Sequence, residues 1–190
     1  MAEILDAAWS LARSNGLLSF SLRDLATKVG MQAPSLYQYF ASKDDIYDAM
    51  FRQGAVECLA EVGVDAAAPD RREAFRQSAR RMFDFATSDP VRAQLLFQRT
   101  IPGFEPSAES YAPAVEMVEG MRALVAAHGI TDPDAMDLWT AMIGGLVAQQ
   151  LSNDPGGSRW ARLVDRTVDM FLAEMDPDHD EAPQRKGQTR

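Results

Sequence analysis

The chain has 190 residues, 46% of them hydrophobic and 25% charged, which allows one or two domains with a real core and excludes whole-chain disorder. Its 28 Asp and Glu outweigh 19 Lys and Arg, and the net charge of −9 argues against a sequence-independent nucleic-acid coat, which works by neutralising phosphates. A small local DNA-reading surface on an acidic body remains compatible with that charge.

Apolar spacing is helical almost throughout, in about nine segments with no run of period-2 alternation, so the expected class is all-α. The first helix spans Glu3 to Ser14 and stops at Asn15-Gly16. A capping box of Ser21 and Asp24 opens the second, which ends at Gly30. A short third helix covers Ala33 to Tyr39, with Pro34 in the first turn where a missing N–H is harmless. Ser42 and Asp45 form another capping box and open a fourth helix to Val62. Beyond a small-residue linker, Val64 to Pro69, helices are expected over Asp70 to Thr87 and Val91 to Arg99. A loop, Thr100 to Ser110, precedes helices over Tyr111 to His128 and from Asp132-Pro133 to Ser152. Ser158 to Met175 is the cleanest amphipathic segment, and the polar tail from Asp176 is expected to be disordered.

Ser21–Val29, the turn Gly30-Met31-Gln32, and Ala33–Tyr39 have the shape of a helix-turn-helix, whose second helix enters the major groove. The chemistry agrees: Ser21 and Ser35 offer hydroxyls, Gln32 and Gln38 amides, Tyr37 and Tyr39 phenols, and Arg23, Lys28 and Lys43 charge. From Arg13 to Lys43 there are four basic residues and one acidic, a locally positive segment in an acidic chain. Short capped helices around a Gly turn also occur in helical domains that never meet DNA.

The stretch from Phe20 to Tyr47 resembles the DNA-binding domain of TetR-family transcriptional regulators. The resemblance rests on Leu25-Ala26, Val29-Gly30, Leu36-Tyr37-Gln38-Tyr39-Phe40 and Ser42-Lys43-Asp44-Asp45, and is strong over about residues 3 to 50. It implies a three-helix helix-turn-helix domain over 1–46, a helical effector-binding and dimerisation domain over 47–175, and the tail over 176–190. It also implies roles. Ser21 and Arg23 would touch phosphate; Gln32, Ala33, Pro34, Ser35 and Gln38 would face base edges or the adjacent backbone; Tyr37, Tyr39 and Lys43 would reach phosphates. Gln pairs bidentately with adenine and Ala contacts a thymine methyl, so these residue types suit those places. Leu22, Leu25, Ala26, Val29, Leu36 and Phe40 are the small core that fixes the angle between the helices. The family often carries a basic segment before the first helix; here Glu3 and Asp6 stand near Met1, so a minor-groove arm is either lacking or lies upstream.

The last two helices are rich in large apolar residues, readable as core or as an interface. The resemblance implies a homodimer through Ile143, Leu146 and Val147 of one and Trp160, Leu163, Val164, Val168 and Phe171 of the other. Gly144-Gly145 costs about 1 kcal/mol per Gly in a helix, tolerable where backbones approach closely. The resemblance further implies an effector pocket among Phe75, Met82, Phe83, Phe97, Phe104, Tyr111, Met117, Met121, Trp139 and Met142; filling a core is the competing reading for each of these residues.

Cys58 cannot make an internal disulfide, and a buried structural role competes with a redox one. His128 is expected to answer a helix C-terminus, Arg71, Arg72, Arg76, Arg80 and Arg81 to pair with acids, and the segment from Asp176 to Glu181 to be solvated. No apolar run reaches the roughly 18 residues of a membrane span, and no basic leader precedes the first helix. No nucleophile elbow, phosphate-binding glycine loop or metal-spaced His/Cys set is present. The expected function is therefore a cytoplasmic, non-enzymatic regulator without cofactor or metal. It would be a repressor released from a palindromic double-stranded operator by an apolar or amphipathic effector. The alternative is a helical small-molecule binder that has lost DNA binding.

Overall fold

A computed structural model describes residues 1–175, so the expected tail, 176–190, lies outside the described residues. Nine α-helices occur among the described residues: α1 Ala2–Asn15, α2 Leu22–Lys28, α3 Ala33–Leu36, α4 Lys43–Val62, α5 Arg71–Ser88, α6 Pro90–Phe97, α7 Ala108–Ala127, α8 Ala135–Asn153 and α9 Val164–Glu174. A single 3-10 turn, Ala161–Leu163, leads into α9, and there is no strand among those residues. None of the described helices is long and apolar enough to cross a membrane.

The chain divides into two compact units, one of residues 1–63 with 84–118, the other of 64–83 with 119 onward. The expected boundary at residue 46 falls inside α4.

In the first unit the helix starts follow local chemistry. Ser21 and Ser42 each form the expected capping box, and Asp89 accepts from the amides of Val91 and Arg92 with Pro90 in the first turn of α6. Ile4, Trp9, Phe20, Leu25, Leu36, Ile46, Tyr47 and Met50 belong to one buried cluster, which joins α1, α2, α3 and α4. Two boundaries differ from expectation by three residues. The regular part of α3 ends at Leu36 rather than Tyr39, because the chain tightens into shorter-range bonds such as Gln38 N to Ser35 O. Helix α7 begins at Ala108, three residues before Tyr111, because the cap comes from another helix: Asp48 of α4 accepts from Ser107 N at 2.6 Å and Ser110 Oγ at 2.7 Å.

In the second unit Phe75, Trp139 and Phe171 pack ring to ring, the first two with centroids 4.7 Å apart and nearly perpendicular. Arg76 and Arg80 of α5 pair with Asp169 and Asp165 of α9 at 2.7 and 2.6 Å, as the basic row on α5 suggested. Regular helix was expected from Ser158, but α9 begins later. The buried Gln150 accepts from Trp160 N, and Asp154 from Arg159 N, which holds that segment as a turn.

Candidate nucleic-acid interface

Helices α2 and α3 are joined by a turn that only glycine makes cheaply. Gly30 has φ 68°, and beyond it Met31 N donates to Ala26 O at 2.9 Å, closing the end of α2. Leu25, Ala26 and Leu36 are buried beneath the turn, so the two helices are held at one angle. The opposite side is left to solvent. Ser21, Arg23, Gln32, Pro34, Tyr37, Gln38 and Tyr39 are exposed, with Ala33, Ser35 and Lys43 half-buried. Tyr37 and Tyr39 are each about half exposed, unusual for aromatic side chains beside an available core. Among the described residues, the side chains of Arg23, Gln32, Tyr37, Gln38 and Tyr39 have no hydrogen-bond or ion-pair partner within the chain. Ser21 is different: its hydroxyl is spent on Asp24, which is bonded to both the Ser21 side chain and amide and is thereby held below the usual carboxylate range.

The first two turns of α4 meet the turn between α1 and α2. The Tyr47 hydroxyl donates to Leu17 O at 2.7 Å, and the Lys43 ammonium donates to Leu18 O at 2.8 Å. The same ammonium lies 4.8 Å from the Phe20 ring centre and 5.3 Å from that of Tyr47. Partial burial lowers the Lys43 pKa despite the opposing charge of Asp24, and burial pushes the Tyr47 phenol up to about 12.

A cavity of about 520 Å³ lies in the same unit, lined by Phe51, Leu95, Leu96, Phe97, Ile101, Phe104 and Tyr111, with Arg99 and Glu105 among its polar groups. Its size falls in the usual range for small-molecule sites. Phe104 reaches from its wall to Tyr47, ring centres 5.7 Å apart, and Tyr111 stacks on Phe51. Of the residues expected in a pocket, Phe97, Phe104 and Tyr111 are brought together here. Met117 instead touches Cys58, sulfur to sulfur at 3.4 Å. Phe75 and Trp139 belong to the aromatic cluster of the second unit, where Phe83 and Met121 are also buried and Met82 and Met142 half-buried. Phe51, Leu96 and Ile101 escaped the sequence reading. Phe51 and Leu95 sit at ordinary apolar positions of α4 and α6, and no local signal separates a cavity wall from a core.

Of the residues expected at an interface, Ile143, Val164, Val168 and Phe171 are buried within the second unit, while Leu146, Val147, Trp160 and Leu163 are only partly covered. Leu138, Ala141, Gly144, Gly145 and Ala148 are exposed along α8, and a side chain added at either glycine would meet nothing within 4 Å. No charged residue occurs from Leu138 to Asn153.

Comparison with known proteins points one way. The sequence model of the family described as bacterial regulatory proteins, tetR family, matches residues 4–50. The HTH-type transcriptional repressor Rv1353c of Mycobacterium tuberculosis is 29% identical over 155 residues, 79% of this chain and 57% of that protein. The chain thus spans little more than half the length of that relative. A TetR/AcrR-family regulator of Thermobifida fusca is 26% identical, with a TM-score of 0.64 over 90% of this chain and 95% of that one. FadR of Bacillus subtilis, solved in complex with stearoyl-CoA, shares the fold with a TM-score of 0.66 at 16% identity, over 90% of this chain and 97% of that one.

Proposed function

We propose that this chain, whose residues 4–50 match the tetR family of bacterial regulatory proteins, is a cytoplasmic, non-enzymatic repressor that leaves a palindromic operator when a small apolar or amphipathic effector binds. The observation that carries this reading is the cluster of exposed, unpartnered polar and aromatic side chains on α3 and its flanks, above a buried core that fixes their direction. Arg23, Tyr37 and Tyr39, with Ser21, are assigned to phosphate. Gln32, Ala33, Pro34, Ser35 and Gln38 are assigned to base edges and the adjacent backbone. Phosphate contacts set register and base contacts set sequence preference.

The operator is read by two copies, joined along α8 and α9. Support comes from the uncharged, exposed small-residue face of α8, since a helix side left in water ordinarily carries charge. Two-fold symmetry would put the reading heads about one helical turn of DNA apart. The effector is assigned to the cavity walled by Phe97, Phe104 and Tyr111, where apolar rings meet a polar rim. FadR, of the same fold, holds an amphipathic acyl-CoA, which supports an effector of that general character. A coupling of about 1–3 kcal/mol between effector and DNA would change affinity about 5- to 150-fold.

Selection from random duplex DNA with the full chain, at two salt concentrations, tests this. The expected result is one palindrome whose binding weakens as salt rises. If a folded, ligand-free chain recovers no sequence, the regulator reading fails.

A further inference from the structure

We infer that Tyr47 and Lys43 are positioning residues for DNA reading, a clamp by which the first two turns of α4 hold the carbonyls of Leu17 and Leu18 and so set the orientation of α2 and α3. The inference rests on the DNA-binding reading above.

Four observations support it. Two consecutive carbonyls of one turn are taken by two side chains one helical turn apart on α4. That turn follows Gly16, at φ 92°, and runs directly into Phe20 and the cap of α2, so a shift of its carbonyls moves the start of the helix-turn-helix. Tyr47 is 2% exposed and Leu17 equally so, which leaves the Leu17 carbonyl no water to replace a lost phenol. Finally, the Lys43 ammonium lies over two aromatic faces and donates to Leu18 O at an exposed edge of the turn. The residue types are needed for this: a phenol reaches a buried carbonyl while its ring fills the core, and an ammonium on a flexible stem answers both a carbonyl and a ring face. The clamp also abuts the cavity, because the Phe104 ring packs edge-on against Tyr47.

The test has two arms, both on the full chain. Hydrogen exchange is followed first, without DNA, in wild type and Tyr47→Phe. The expected result is exchange about two- to tenfold faster over residues 19–29, as one lost hydrogen bond implies, with α8 and α9 unchanged. Unaltered exchange over 19–29 overturns the clamp. In the second arm Tyr47→Phe and Lys43→Met are titrated against the duplex that wild type selects, across a series of salt concentrations. Each is expected to lose about two- to tenfold in affinity at every salt, with the slope of log affinity against log salt preserved. Undiminished affinity makes the clamp merely structural and overturns the positioning role. A slope reduced by about one for Lys43→Met marks a phosphate contact and removes Lys43 from the clamp. If wild type selects no duplex, the regulator reading is what fails, and the exchange arm still decides whether the clamp exists.

Discussion

Arg23 and Gln38 stand a short distance apart in sequence on the same exposed surface, yet they carry different chemistry and should fail differently. Arg23→Ala is expected to weaken binding to matched and unmatched duplexes alike and to lower the salt slope by about one. Gln38→Ala is expected to cost about 1–3 kcal/mol at particular base pairs and leave the slope intact. Titration of both variants against one matched and one altered duplex separates these outcomes; equal losses on both duplexes for Gln38→Ala would remove it from the readers. Cys58 makes a prediction that needs no DNA. Burial pushes its thiol up to about 12 from an ordinary 9, so the folded chain keeps a proton that the unfolded chain releases. Its contribution to stability is intact below pH 9 and is lost as pH climbs toward 12; Tyr47 adds a parallel loss from about pH 10. Denaturant midpoints should therefore fall above pH 9, and in Cys58→Ala the decline should begin nearer pH 10. The same thiol, buried against Met117, suits the structural role and not the redox one.

At the scale of elements, the start of α7 depends on α4. Asp48 accepts three hydrogen bonds from Ser107 and Ser110, and Ser110 is 3% exposed. Asp48→Ala strands a buried hydroxyl and an amide at the helix start, and should cost about 1–3 kcal/mol in urea unfolding. A loss under half of that would mean that water or Ser107 alone suffices as the cap. Elsewhere the elements follow their own sequences. The capping boxes at Ser21 and Ser42 and the Asp89-Pro90 start are satisfied within four residues, which is why they were legible. Helix α7 was read three residues short because its cap lies 59 positions away. The start of α9 was read too early because Gln150, from the preceding helix, holds the backbone of Trp160.

For the whole molecule, the reading as a two-headed regulator turns on the outer face of α8. Gly145 lies in open space in the single chain, so Gly145→Glu should fold normally and even gain helix propensity. Against a second copy the same carboxylate would be buried and unpaired. Sedimentation should give two chains per particle for wild type and one for the variant, with thermal melting retained and affinity for the palindrome sharply reduced. A variant that stays dimeric would move the interface away from this face.

The sequence alone determined that this is an all-helical chain with a helix-turn-helix near its start. The signals for both are local: 3.6-residue periodicity, capping boxes, and Gly30 at a turn that needs positive φ. It also named the exposed surface of α3, because short polar and phenolic residues between buried apolar ones announce an outward face. What an apolar side chain does inside the fold was not legible. Phe104 and Phe75 read alike, yet one walls a cavity and the other closes an aromatic cluster. Lys43 is expected at a phosphate from the resemblance, whereas the bond from its ammonium to Leu18 O is visible only in the fold. Periodicity reports which side of a helix avoids water; which partner it meets depends on segments brought together from far along the chain, and that was decided by the tertiary structure.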